Sequence, residues 1–285
     1  MKLSVIIPAY KEPFLQRTID SILENSKLDS EIEVLPILDG PWLTEPLKRD
    51  HRVKVIQLES NLGMRAAINT GITESTGEYL LKIDAHCAFG KGFDRILVED
   101  CKDNWLMIPR RYSLEEIEWT LHPDRSTVDY HYLHYPSTEN HYMMTPHYWR
   151  RSNDIMIDDT MTYQGSCWVV NKQYFMENIG LMDDNIHTYG PFISEMLEVG
   201  LKYWLGGGEV KVNKKTWYAH LFKMTRHYAT GEFAKKKNYS RCFQWAARHW
   251  INNEEPGMIH PLSWLIEKFW PVPTWPQNRE NWHIV

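Results

Sequence analysis

A doubly wound α/β fold on a mostly parallel sheet is what this sequence predicts, from three observations. Short apolar runs alternate with segments of helical spacing through the first 83 residues, as happens when each strand feeds a crossover helix. Two of those runs end on a carboxylate, Asp39 and Asp84, and open α/β sheets bind ligands at the carboxyl ends of their strands. The 285 residues, 43% hydrophobic and 24% charged, are enough for one large core.

Residues 3–8 (LSVIIP) read as a buried strand. The spacing of Phe14, Leu15, Thr18, Ile19, Ile22 and Leu23 predicts a helix over 14–24. A second strand over 33–38 stops at the turn signal Asp39-Gly40-Pro41, and a third covers 53–58. After NLGMR (61–65) comes a helix to about residue 75, then Gly77, then a strand over Tyr79–Ile83. The pattern loosens beyond Trp119, and 122–151 is rich in Tyr, His, Pro and Met. Order returns with a strand in 164–170, a helix over 173–179 and another over 192–205 that ends at Gly206-Gly207-Gly208. A last strand leads to His220, and a Pro- and Trp-rich tail closes the chain. No linker divides it, so one domain with a C-terminal extension is expected.

No apolar run is long enough to cross a bilayer, and the first residues do not read as a signal peptide. Four cysteines without a C-x-x-C spacing argue against a disulfide framework or structural zinc. The chain is read as cytosolic. Its net charge of −5 is uneven: residues 211–250 hold ten Lys/Arg and one acid, about +9, leaving about −14 elsewhere. Most charge runs are solvated faces, but aromatic residues interleave with this one, and an anionic partner is expected there.

Asp84 and His86 lie two apart, so an extended backbone points both the same way. A carboxylate with an imidazole suits a borderline divalent ion such as Mn2+ better than Ca2+. Such triplets also occur on plain surface strands; the place at the sheet mouth, opposite Asp39, favours the metal. His220, after the last strand, is the candidate third ligand.

The stretch SVIIPAYKEPFLQRTIDSIL (4–23), then VKVIQ and NLGMRA, and DAHCA (84–88) resemble, in order, motifs of a nucleotide-sugar glycosyltransferase of the GT-A fold in the family 2 group. The likeness is nearest to the polypeptide N-acetylgalactosaminyltransferases, whose later blocks are similar to GSCWVVNKQYFMENIGLMD (165–183), YWLGGG (203–208) and YAHLFK (218–223). This implies a catalytic domain over 1–222, with a nucleotide-binding half (1–118) and an acceptor half (119–222), followed by a basic, aromatic extension (223–285). It implies that Asp84, His86 and His220 hold Mn2+ or Mg2+, which bridges the donor's pyrophosphate. Pro8, Ala9, Tyr10 and Glu12 would lie at the donor pocket, Asp39 by the base or ribose, and Arg65 at the diphosphate or sugar. Lys223 and Arg226 would serve the pyrophosphate. Glu195 falls where the family has an acid against the donor sugar, with a general base as its other role; for Glu198 an exposed helix face is expected.

The family's last motif residue, Glu, is Ala88 here, and 189–195 only loosely matches its Trp-Gly-Gly-Glu-Asn segment. The family's membrane anchor and lectin domain are not seen, so a luminal role in protein O-glycosylation is not expected. The acceptor is read as a cell-surface glycan precursor, or, in a phage enzyme, a hydroxymethylated base in DNA, for which cations and stacking aromatics are needed. A sugar nucleotidyltransferase is disfavoured because 8–17 lacks the glycines of a phosphate loop. A non-catalytic nucleic-acid binder would leave Asp39, Asp84 and His86 without a role.

Overall fold

The fold was obtained as a computed structural model, which describes residues 1–192, 195–222 and 236–282. Eleven described strands follow the chain: β1 (Leu3–Ala9), β2 (Ile32–Leu38), β3 (Ile56–Gln57), β4 (Tyr79–Ile83), β5 (Cys87–Phe89), β6 (Trp105–Ser113), β7 (His131–Leu133), β8 (Pro146–Tyr148), β9 (Ile157–Asp159), β10 (Cys167–Asn171) and β11 (Glu209–His220). The helices are α1 (Leu15–Asn25), α2 (Met64–Glu74), α3 (Phe93–Asp100), α4 (Lys172–Asn178), α5 (Glu195–Leu205), α6 (Lys236–Ile251) and α7 (Leu262–Lys268).

Nine strands form one sheet in the order β3-β2-β1-β4-β10-β6-β11-β5, with β9 also on β11; β7 and β8 make a separate hairpin. The block β3-β2-β1-β4 is parallel, as is β6 with β11. Between them β10 runs antiparallel to both neighbours. Every residue of β1 is buried, which is what a central strand covered on both faces requires. Helix α2 packs on β1 and β2, α1 on β5, α3 on β11, and α5 on β6 and β11. From β1 the chain steps first to β2 and then to β4 on the other side, so a topological switch point lies at the ends of β1 and β4.

The expected strand over 53–58 shrinks to Ile56–Gln57, with Val53 making only a lone bridge to Val34. Val55 is exposed there, at the sheet's edge. The loosely patterned region contains the β7–β8 hairpin. The tail is not a detached appendage: Trp250 of α6, Leu262, Leu265 and Ile266 of α7, and Trp275 join the same buried cluster as β1 and β4. Among the described residues no helix is long and apolar enough to cross a membrane.

Candidate active site

Strand β4 ends at the switch point, where its two-residue period puts Lys82 and Asp84 on one side, and a bend at Ala85 and His86 follows before β5. Strand β11 comes to meet them. Its register with β6 shifts between Asn213 and Trp217, a bulge of the kind that re-aims a strand end. Its last residues pair with β5, His220 opposite Cys87, and Leu221 N donates to His86 O at 3.1 Å. Two imidazoles far apart in sequence thus become neighbours, with ring centroids 4.8 Å apart.

The ligand atoms of Asp84, His86 and His220 all lie within 4.8 Å of one another. His220 Nε2 is 3.2 Å from Asp84 Oδ2, and His86 Nε2 is 4.0 Å from the same oxygen. His86 Nδ1 faces Glu12 Oε2 at 3.0 Å, a carboxylate partner that orients the ring and leaves Nε2 for a cation. Burial holds the His220 imidazole down at about 4, so it is neutral near pH 7, as a ligand must be. Burial alone would raise Asp84, but the Lys82 ammonium and the nearby imidazoles hold it well below the usual carboxylate range. Among the described residues the buried His220 Nδ1 has no hydrogen-bond partner. One carboxylate oxygen and two imidazole nitrogens, converging at a strand end, fit a borderline divalent ion.

Beneath this group lies a residue that sequence reasoning passed over. Lys82, 1% exposed, donates to Asp84 Oδ1 at 2.8 Å, Gly165 O at 2.6 Å and Glu195 Oε1 at 3.0 Å. Glu195, 2% exposed, also accepts from Trp168 Nε1 at 3.2 Å. Burial pushes the Glu195 carboxyl up, and Lys82 opposes that shift. A methyl group on Gly165 would sit 2.4 Å from Glu195 Oε1, so glycine is needed where the carboxylate passes. The available signal was Lys82 itself: a lysine inside an apolar strand must find partners.

Other expected site residues are placed differently. Asp39 is buried and its carboxylate accepts from Asn61 Nδ2, Leu62 N and Gly63 N at 2.7–2.9 Å. It pins the turn into α2, where Gly63 adopts a φ of +100°. Arg65 lies inside the fold. It is buried, ion-paired with Glu198, bonded to Asp183 O at 2.9 Å and stacked on the Tyr189 ring. The exposed face expected for Glu198 is overturned with it, because a buried guanidinium needs that carboxylate. Pro8 and Ala9 are buried at the end of β1, with Tyr10 half-buried beyond them; Ala9 O accepts from Trp42 Nε1 at 3.1 Å. Glu12 is drawn to His86. Lys223 and Arg226 lie outside the described residues.

Residues 4–178 match the family model described as Glycosyl transferase family 2. The chain belongs to glycosyl transferase family 2. Curated relatives of this family 2 chain include the probable N-acetylgalactosaminyltransferase 7 of Caenorhabditis elegans, 23% identical over 88% of this chain and 44% of that protein. Polypeptide N-acetylgalactosaminyltransferase 4 of Mus musculus is 24% identical, covering 98% of this chain and 53% of its own length. The chain therefore spans about half the length of these relatives. Among solved structures, the crystal structure of GalNAc-T7 with UDP, GalNAc and Mn2+ matches with a TM-score of 0.65 at 15% identity, over 94% of this chain and 56% of that one. The sheet and its helices are those of the GT-A fold.

Proposed function

We propose that this chain transfers a sugar from a nucleotide-sugar donor, a UDP-sugar, to a hydroxyl of a cell-surface glycan precursor. The observation that carries the reading is the convergence of Asp84, His86 and His220 at the switch point of a family 2 sheet. The structural relative's UDP and Mn2+ agree with that donor set. In the reaction the acceptor hydroxyl oxygen forms a bond to the anomeric carbon, the bond from that carbon to the phosphate oxygen breaks, and the nucleoside diphosphate leaves with the electron pair and takes up the acceptor's proton. A bound Mn2+ supplies Lewis-acid neutralisation of that leaving group.

The chain's own residues set the stage for it. Asp84 and the imidazoles of His86 and His220 would hold the cation, and Glu12 keeps the His86 ring oriented. Residues 1–118 carry the nucleotide, with 8–10 beside the base, and 119–222 shape the acceptor side. Glu195, at the start of α5, is assigned to the donor sugar. Residues 223–285 follow as a basic, aromatic region, and Lys223 and Arg226 are assigned to the pyrophosphate. The four cysteines are free and buried, which suits a reducing compartment.

A glycan is preferred to DNA as the acceptor because part of the basic stretch is taken up inside the fold. Lys211 pairs with Asp159 and the buried Lys214 bonds to Asn153, so these two add little to a phosphate-binding face, while Lys215, paired with Asp100, stays exposed. The test is a screen of UDP-sugars with Mn2+ against lipid-linked glycans, glucans and hydroxymethylated duplex DNA, read by mass spectrometry. A glycan product that vanishes in Asp84→Ala, with an unchanged circular dichroism spectrum, supports the reading. Transfer undiminished in that variant, or product on DNA alone, overturns it.

A further inference from the structure

We propose that Lys82 is a positioning residue that makes Asp84 a one-oxygen metal ligand and thereby sets which cation the site accepts. This rests on the metal site of the proposed function and goes beyond it. The carboxylate is divided between two partners: Oδ1 accepts from Lys82 Nζ at 2.8 Å, while Oδ2 faces His220 Nε2 at 3.2 Å. Lys82 cannot swing away, because Gly165 O and Glu195 Oε1 use its other two protons and the side chain is buried. Glu195 is held in turn by Trp168 Nε1 and crowded by Gly165. Asp84 is thus locked in a rotamer that offers a single oxygen.

One oxygen and two imidazoles make a poor site for Ca2+, which takes six to eight oxygens and often a bidentate carboxylate. They suit a smaller borderline ion and leave positions open for diphosphate oxygens. The charge count matters as well. Lys82 and Glu195 cancel, so the pair adds no net charge beneath the cation and acts through geometry.

That cancellation supplies the experiment. Lys82→Met alone strands Glu195 as a buried anion and endangers folding. The double variant Lys82→Met/Glu195→Gln removes both charges at once, and Glu195→Gln alone keeps the lysine on Asp84. Binding of Mn2+ in the presence of UDP is followed by the electron paramagnetic resonance signal of free aqueous Mn2+, and Ca2+ is titrated in as competitor. With Oδ1 freed, the double variant is expected to raise Ca2+ affinity relative to Mn2+ by about tenfold, the lower end of what outer-shell partners control. Glu195→Gln alone is expected to keep the wild-type ratio. An unchanged ratio in the double variant, or the same shift in Glu195→Gln alone, overturns the role of Lys82. If the wild type binds no Mn2+ with UDP present, the metal site itself fails and this role with it.

Discussion

Arg65 and Glu198 neutralise each other where no water reaches, so removing either leaves an uncompensated buried charge. Arg65→Ala is expected to cost about 3–5 kcal/mol, read from urea unfolding; a loss under about 1 kcal/mol would mean the pair is hydrated. Glu12→Ala frees the His86 ring and is expected to weaken Mn2+ binding at least tenfold, with turnover recovering at saturating Mn2+. His131 adds a pH dependence. Burial, with Arg111 and His147 nearby, pushes its imidazole down to about 3, whereas the unfolded chain takes up that proton near its ordinary 6.5. Its contribution is therefore whole above about pH 6.5 and is lost as pH falls toward 3, by up to about 1.4 kcal/mol per unit. His131→Gln should flatten urea midpoints over that window; parallel curves would refute the assignment. The closeness of Asp84 and His86 was legible because they stand two residues apart, although a bend, not a strand, carries His86. The role of Lys82 was not, because its partner Glu195 stands 113 residues away, nor was the burial of Arg65, whose partner Glu198 lies 133 residues off.

Strands whose signal is local were read almost to the residue: Tyr79–Ile83 is β4 as expected, and residues 3–8 became Leu3–Ala9. The direction of β10 was not legible, because an apolar run carries no mark of which neighbour it pairs with. Nor was the length of β3, which edge exposure decides. Close packing of one element on another can be tested at Gly71, where α2 crosses β1. A methyl group there would lie 2.4 Å from Ile6 Cγ2, nearer than side chains tolerate. Gly71→Ala is therefore expected to destabilise by about 1–3 kcal/mol, seen as a lower thermal midpoint. An unshifted midpoint would mean α2 sits farther from the sheet.

At the scale of the whole molecule, the core runs on into the C-terminal region. Trp250 is fully buried and its Nε1 donates at 2.8 Å to the hydroxyl of Tyr189, the ring that lies under Arg65. Trp250→Ala is expected to cost about 3–5 kcal/mol, measured by chemical denaturation; near-wild-type stability would show the tail to be separable. The tail was expected as an extension because the recognisable family motifs stop at YAHLFK (218–223). Farther along, Tyr135 N bonds to Thr274 Oγ1, Tyr135 Oη to Asn281 O, and Trp275 Nε1 to Leu133 O. These straps have a consequence for biosynthesis. The segment after β7 meets its final partner 146 residues later, which at ribosomal speeds of about 5–20 residues per second is a delay of roughly 7–30 s. A nascent chain stalled before residue 270 should therefore leave that hairpin open to protease while β1, β2 and β4 are already protected.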